Sequence, residues 1–285
     1  MGPPRKEGNV RKAILAAAQI TVKPGDKQAN LDRIARWCDR ARAAGAELVC
    51  FPELCTTGST SGSPRDVAEP IPGPTADRLS ALARDHDLWL VAGMVEADPD
   101  GGRPYNSAPV IDPAGDIVAV YRKIYLFSTE RAQFARGHHP CLVHLPFGCA
   151  ALTICYDFIF PAYIAGLVDR GAELILHPTN WLTTEQWVRL GYDQAEYRAV
   201  AVARAVENTV WFLSANRWGP CDDSAAFASI GQSAIIAPWG RVVAEVVDGE
   251  GLALAEVDFD ALQTWREGVA TYLQDRRDIN PWRDE

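Results

Sequence analysis

The sequence contains no apolar run approaching the roughly 18 residues that a membrane-spanning helix needs, so no such span and no membrane partner is expected. Basic residues are in the minority, with 28 Lys and Arg against 37 Asp and Glu and a net charge of −9. A nucleic-acid partner requires a basic footprint, so none is expected. The cysteines, Cys38, Cys50, Cys55, Cys141, Cys149, Cys155 and Cys221, include no C-x-x-C pair, which removes zinc-ribbon and thioredoxin-type sites. H-E-x-x-H is absent, and the adjacent His138 and His139 cannot build a tetrahedral site without further ligands, so no metal is expected. Neither G-x-G-x-x-G nor a Walker pattern occurs, and no cofactor is implied. The N-terminal stretch lacks the shape of a secretory signal, and the odd number of irregularly spaced thiols suits a reducing compartment. The expected location is cytoplasmic.

What is present is an α/β rhythm. Hydrophobic residues make up 48% of the chain and charged residues 23%, values typical of a globular protein able to bury a large core. AILAAAQI, AELVCFPEL and LWLVAGMVE read as buried strands. Between them, NLDRIARWCDRARAAG and TADRLSALARDHD have helical spacing, the first with Asn30 as expected N-cap and Gly45 as expected stop. SAPVIDPAGDIVAVYRK and GQSAIIAPWGRVVAEV read as hairpins, and CAALTICYD, AELILHP, TVWFLSAN and GLALAEVDF as further strands. One helix is expected around YIAGLVDRG and one long helix over 185–207. Apolar strands between amphipathic helices imply sheets covered by helices. The expected organisation is a disordered segment 1–12, one domain over 13–270, and a polar and aromatic tail 271–285 whose Tyr272 and Trp282 could bury at a subunit interface.

Three residues stand where chemistry is possible. Cys155 ends an apolar strand just before a helix, a turn that lifts a side chain out of a sheet and aims backbone N–H groups at an anion. Glu53 ends a second apolar strand, an unusual place for a carboxylate. Lys123 lies between IVAVY and IYLF, where an inward ammonium would seek an anion. Each has a plainer reading alone: a buried strand cysteine, an exposed loop glutamate, a lysine guarding a sheet edge. His177 precedes a proline at a strand end, but no papain-like signature surrounds Cys155, and a supporting role is the simpler one. Tyr156, Asn180 and Trp181 follow the relevant strands and are candidates for lining a pocket, whereas Trp181 and Trp187 could equally pack a core.

Taken together and in order, AELVCFPEL, YRKIYLFSTERAQFARG and TICYDFIFP resemble the nitrilase superfamily of carbon–nitrogen hydrolases. HPTNW, RAVENTVWFLSANRWG, GQSAIIAPWGRVVAE and the late DRR extend the likeness over nearly the whole chain. The resemblance implies a four-layer α-β-β-α sandwich and at least a homodimer. It also implies roles. Cys155 is the nucleophile that forms a thioester, and Glu53 is the base. Lys123 stabilises the oxyanion with the backbone N–H of Tyr156, and Glu130 is a second glutamate positioning the lysine or substrate. PTNW, ANRWG and GQSAIIAPWG look most like amidase and carbamoylase branches, so the expected reaction is ammonia release from a small carboxamide. The alternatives are hydrolysis of an N-carbamoyl compound, then of a nitrile, then a non-hydrolytic binding protein on the same fold. Where the family often has Arg and Glu after the nucleophile and a Gly-Tyr pair after the glutamate, this chain has Ile159, Ala162 and Ser59, departures that leave the substrate open.

Overall fold

The computed structural model describes residues 11–58, 62–221 and 226–278; Ser59, Trp282 and residues 1–10 of the expected disordered segment lie outside these. The first sheet is begun by β1 (Lys12–Gln19), β2 (Leu48–Cys50), β3 (Trp89–Val91), β4 (Met94–Glu96), β5 (Tyr105–Ile111) and β6 (Ile117–Arg122). The second follows with β7 (Cys141–Leu145), β8 (Gly148–Leu152) and β9 (Leu174–Thr179). After the short β10 (Leu182–Thr183) come β11 (Trp211–Asn216), β12 (Trp218–Pro220), β13 (Ala228–Ile230), β14 (Ser233–Ile236), β15 (Val242–Val246) and β16 (Gly251–Asp258). Strand order is β16-β1-β2-β3-β5-β4 in one sheet, with β6 on β5, and β15-β14-β11-β9-β8-β7 in the other. β10, β13 and β12 form a small third sheet.

Alternation along the strands explains the layering. Leu15 and Ala17 of β1 join Leu152, Leu174, Leu176 and Leu213 of the second sheet in one buried cluster, so the sheets pack face to face. Ala16 and Ala18 point the other way, against Leu31, Ile34, Trp37 and Cys38 of α1 (Lys27–Ala43) and Leu79 and Leu82 of α2 (Pro74–His86). The far side of the second sheet is covered in turn. Ile175 and Phe212 pack on Ile164, Leu167 and Val168, and on Tyr197, Ala201 and Ala205 from a later helix. The result is the four-layer α-β-β-α sandwich, with each fully buried Leu or Ile contributing about 1.5–3 kcal/mol.

Several elements differ from the sequence reading. Asp26, not Asn30, caps α1 by accepting from Ala29 N. Asn30 sits inside the helix and its side chain ties Lys23 to Thr56, outbidding the local cap. The run LWLVAGMVE is two strands, because the chain turns at Gly93 to pass the Glu53 segment. After α3 (Glu130–Gln133) and α4 (Pro161–Asp169), the long helix expected over 185–207 is broken into α5 (Glu185–Arg189) and α6 (Ala195–Glu207). Gly191, at φ +93°, stands between them, a conformation that a helix does not contain. Arg11 and Lys12, expected in the disordered segment, are ordered. Lys12 opens β1, and Arg11 bonds Glu173 at 3.0 Å and Asp260 at 3.1 Å. The start of the expected tail is helical too, in α8 (Tyr272–Asp278), which follows α7 (Phe259–Gly268).

Candidate active site

Glu53, Lys123 and Cys155 leave three different strands and meet at one end of the sandwich, on a cavity of about 380 Å³. Glu53 lies three residues beyond β2 and is 3% exposed. Its path there depends on Gly93, where an added Cβ would come within 2.7 Å of Glu53 Cα and of Pro52 O. Lys123 follows β6 directly and is 1% exposed. Gly137 lies against it, donating its N–H to Lys123 O at 2.8 Å, and a Cβ there would meet the Arg122 backbone.

The Lys123 ammonium is held by two carboxylates. Nζ donates to Glu53 Oε1 at 2.7 Å and to Glu130 Oε1 and Oε2 at 3.0 and 2.8 Å. Burial opposes its charge, but Glu130 and Glu53 outweigh burial and hold the ammonium well above the usual lysine range. Glu130 begins α3 and also accepts from Phe127 N at 2.7 Å. Asn106, from β5, braces the pair of acids, its Nδ2 donating to Glu53 Oε1 at 2.8 Å and Glu130 Oε1 at 3.1 Å.

Cys155 opens a tight 3₁₀ turn, Cys155–Ile159, at φ +47°, a left-handed conformation that a residue with a Cβ rarely adopts. Leu54 and Ser128, beside Glu53 and Glu130, share that conformation at φ +47° and +46°, and all three residues line the cavity. Strained backbone of this kind collects where surrounding structure imposes it. Burial pushes the Cys155 thiol up and Glu53 adds to this, while Lys123 pulls the other way. Its Sγ lies 3.8 Å from Asn180 O. The turn is fastened by Asp157, whose Oδ2 accepts from Ile154 N at 2.8 Å and Tyr121 OH at 2.7 Å, and whose Oδ1 accepts from Tyr125 N at 2.8 Å. One buried carboxylate thus joins the nucleophile turn to the strand and loop that flank Lys123. Burial raises it to about 6, against the pull of these donors.

The remaining sequence candidates separate. Asn180 lines the cavity, and its Oδ1 accepts from Ser229 Oγ and, at 3.8 Å, from Cys221 Sγ. Tyr156 stands outside the lining residues, its ring against Phe127 and Phe160. Trp181 also stands outside them. It packs on Phe158 and Tyr197 and donates Nε1 to Tyr192 OH at 2.8 Å, so it serves the helix–sheet layer. Trp187 does line the cavity. His177 is wholly buried, held at 2.8 Å from Thr153 Oγ1, and lowered to about 3 by burial and by Lys123, so it stays neutral behind the site. Among the described residues, no group of three His, Cys, Asp or Glu could hold a metal ion, and no helix is long and apolar enough to cross a membrane. Asn106 was not among the sequence candidates. Its only signal in sequence is an amide near the start of the strand YNSAPVI, beside Tyr105 and Ser107. Ile159 and Ala162 flank Phe160 and Pro161 at the exit of the turn, outside the cavity lining.

The sequence pattern of the carbon-nitrogen hydrolases matches residues 14–267. The omega-amidase NIT2 of Homo sapiens is 28% identical over 276 residues, covering 93% of this chain and 95% of that protein. A probable nitrilase of Schizosaccharomyces pombe is 31% identical over 271 residues, covering 93% and 96%. Among solved structures, Nit3 of Saccharomyces cerevisiae, a member of branch 10 of the nitrilase superfamily, superposes with a TM-score of 0.82 at 26% identity, covering 94% and 97%. A variant of the amidase from Nesterenkonia sp. AN1 superposes with a TM-score of 0.79 at 29% identity, covering 95% and 97%. It shows covalent addition of the acetamide moiety of fluoroacetamide at its active-site cysteine. With its order of motifs, its layers and its buried lysine between two glutamates, this chain belongs to the carbon-nitrogen hydrolase family.

Proposed function

We propose that the protein is an amidase that releases ammonia from a small carboxamide through Cys155, Glu53 and Lys123. The observation that carries this reading is the convergence of these side chains on one cavity, with the lysine enclosed by Glu53 and Glu130. The amidase and omega-amidase relatives, and the neighbour whose active-site cysteine takes an acetamide moiety, support it.

Glu53 takes the thiol proton as Sγ attacks the carbonyl carbon. Coupling the two transfers avoids a free thiolate, which burial disfavours at this site. Negative charge then develops on the carbonyl oxygen. Lys123 Nζ, with the backbone N–H of Tyr156, stabilises it in a site with little competing water. Collapse breaks the C–N bond, Glu53 returns the proton to the departing nitrogen, and ammonia leaves a thioester on Cys155. Water enters, gives a proton to Glu53 and attacks the thioester carbon. Expulsion of Sγ, with return of the proton, yields the carboxylic acid and free enzyme. One carboxylate serves as base and acid in alternate half-reactions. Glu130 and Asn106 hold the lysine and Glu53 in place.

The test is an ammonia assay over a panel of carboxamides, run beside carbamoyl compounds and nitriles, for the wild type and Cys155→Ala. Carboxamide turnover that falls to background in Cys155→Ala, with an unchanged circular dichroism spectrum, is expected. Normal turnover by the variant would overturn the mechanism.

A homo-oligomer and a cytoplasmic location belong to the same proposal. Buried thiols such as Cys38 and Cys50 support a reducing compartment, which cell fractionation would test. The partly exposed Val206, Trp239, Val269 and Tyr272, gathered around α7 and α8, support a subunit contact. Sedimentation at a single monomer mass would remove it.

A further inference from the structure

We infer that the cavity selects neutral amides with an apolar acyl chain and discriminates against amides that carry a carboxylate at the opposite end. The inference rests on the amidase reading above and names its substrate class.

Among the described residues that line the cavity, Lys123 is the only cation, and both of its neighbouring carboxylates already bind it. Segments 59–61 and 222–225 contain no Lys or Arg in sequence. Arg217 is a second wholly buried cation, but it stands outside the lining; its Nη2 donates to Val22 O at 3.5 Å, and its Nε and Nη1 meet no partner among the described residues. Standing outside the lining, it presents no direct donor to the cavity. Ser128, Thr129 and Gln133 do present polar groups, yet they flank Glu130 on the same turn. A carboxylate bonded to them would sit beside another carboxylate. A charge drawn from water into such a site loses its hydration without gaining an ion pair.

The rest of the lining suits a hydrocarbon chain. Leu54, Val67, Val95, Phe134, Leu182 and Phe227 present carbon to the cavity. The reacting amide would take the polar corner formed by Glu53, Lys123, Cys155 and Asn180, and the acyl chain would extend over the apolar surface. The volume is at the lower end of the range of about 300–1,000 Å³ for small-molecule sites.

The test compares 4-methylpentanamide with succinamate, which match in shape and heavy-atom count and differ in the terminal isopropyl or carboxylate group. Two measurements are made: kcat/KM with the wild type, and affinity for Cys155→Ala by calorimetry. The expected result is a preference of at least about tenfold for the neutral amide in both. Equal or reversed preference overturns the inference and leaves the amidase reading standing. Turnover of neither amide would count against the amidase reading, while calorimetry with Cys155→Ala still decides the inference. Binding of neither ligand to that variant overturns it as well.

Discussion

On one side of the cavity, Glu53, Asn106, Lys123 and Glu130 are joined by direct hydrogen bonds of 2.7–3.1 Å and are held at strand ends or by the loop bound to them. Elsewhere in the lining, Leu182, Trp187 and Phe227 belong to a two-residue strand, a five-residue helix and the approach to β13, and Trp187 meets Phe227 ring to edge at 5.9 Å. The difference separates two tasks. A bonded network of charges has one satisfactory geometry, and loss of any member strands the others in a low-dielectric site. An apolar surface has no direction and tolerates exchange of one side chain for another of similar size. Reaction chemistry is thus tied to the sheets, whereas this part of the lining is carried by short elements.

The strongest way to break this contrast is Lys123→Met. It leaves the buried Glu53 and the half-buried Glu130 without their cation, so it is expected to abolish turnover and to lower unfolding free energy by about 3–5 kcal/mol, read by urea denaturation. A loss comparable to that of an exposed lysine would show that the polar wall is not coupled. Asp157→Asn tests the same wall through pH. The folded carboxyl lies near 6 and its ordinary value is 3.8. The folded protein therefore holds the proton more tightly between these values, and the stability linked to Asp157 declines as pH rises from about 4 to about 6, by on the order of 3 kcal/mol. Melting curves of wild type and Asp157→Asn should diverge in slope over that window. Parallel curves would remove Asp157 as its source. Phe227→Ala should have the smallest effect. Phe227 is 37% exposed, so the expected stability change is about 1 kcal/mol or less, and KM for an apolar amide should rise a few-fold, roughly 3–10-fold, with kcat nearly unchanged. A comparable fall in kcat would mean that the two regions are not separate.

Most of the fold was legible because alternating and helical apolar periods report which face of an element is buried. β1 and α1 are good cases, with Leu15 and Ala17 facing one layer, Ala16 and Ala18 the other, and Leu31, Ile34 and Cys38 on one helix face. The capping of α1 by Asp26 was not legible, since Asn30 is drawn away by its bond to the distant Thr56, and the break at Gly191 was not, since a glycine within a helical period does not by itself declare a left-handed φ. In the site, Glu53, Lys123 and Cys155 stood out because charged or nucleophilic side chains interrupt or end apolar runs, whereas Glu130 entered only through the family likeness. Asn106 did not, because a neutral amide in a strand looks unremarkable until two carboxylates from other segments face it. Trp181 and Trp187 were indistinguishable by type. Whether an aromatic ring fills a core or lines a cavity depends on what packs behind it, and here the first packs on Phe158 while the second opens onto the cavity.

The sequence by itself determined the alternation of strands and helices, the likeness to carbon–nitrogen hydrolases and the residues able to carry the chemistry, because side-chain type and local period are properties of short segments. Only the tertiary structure decided that Lys123 is enclosed by two glutamates, that Asp157 fastens the Cys155 turn to the lysine loop, and that these charged groups share one cavity with apolar side chains from distant segments. These are relations among residues far apart in the chain, and they come into being only when two sheets pack and their strand ends meet.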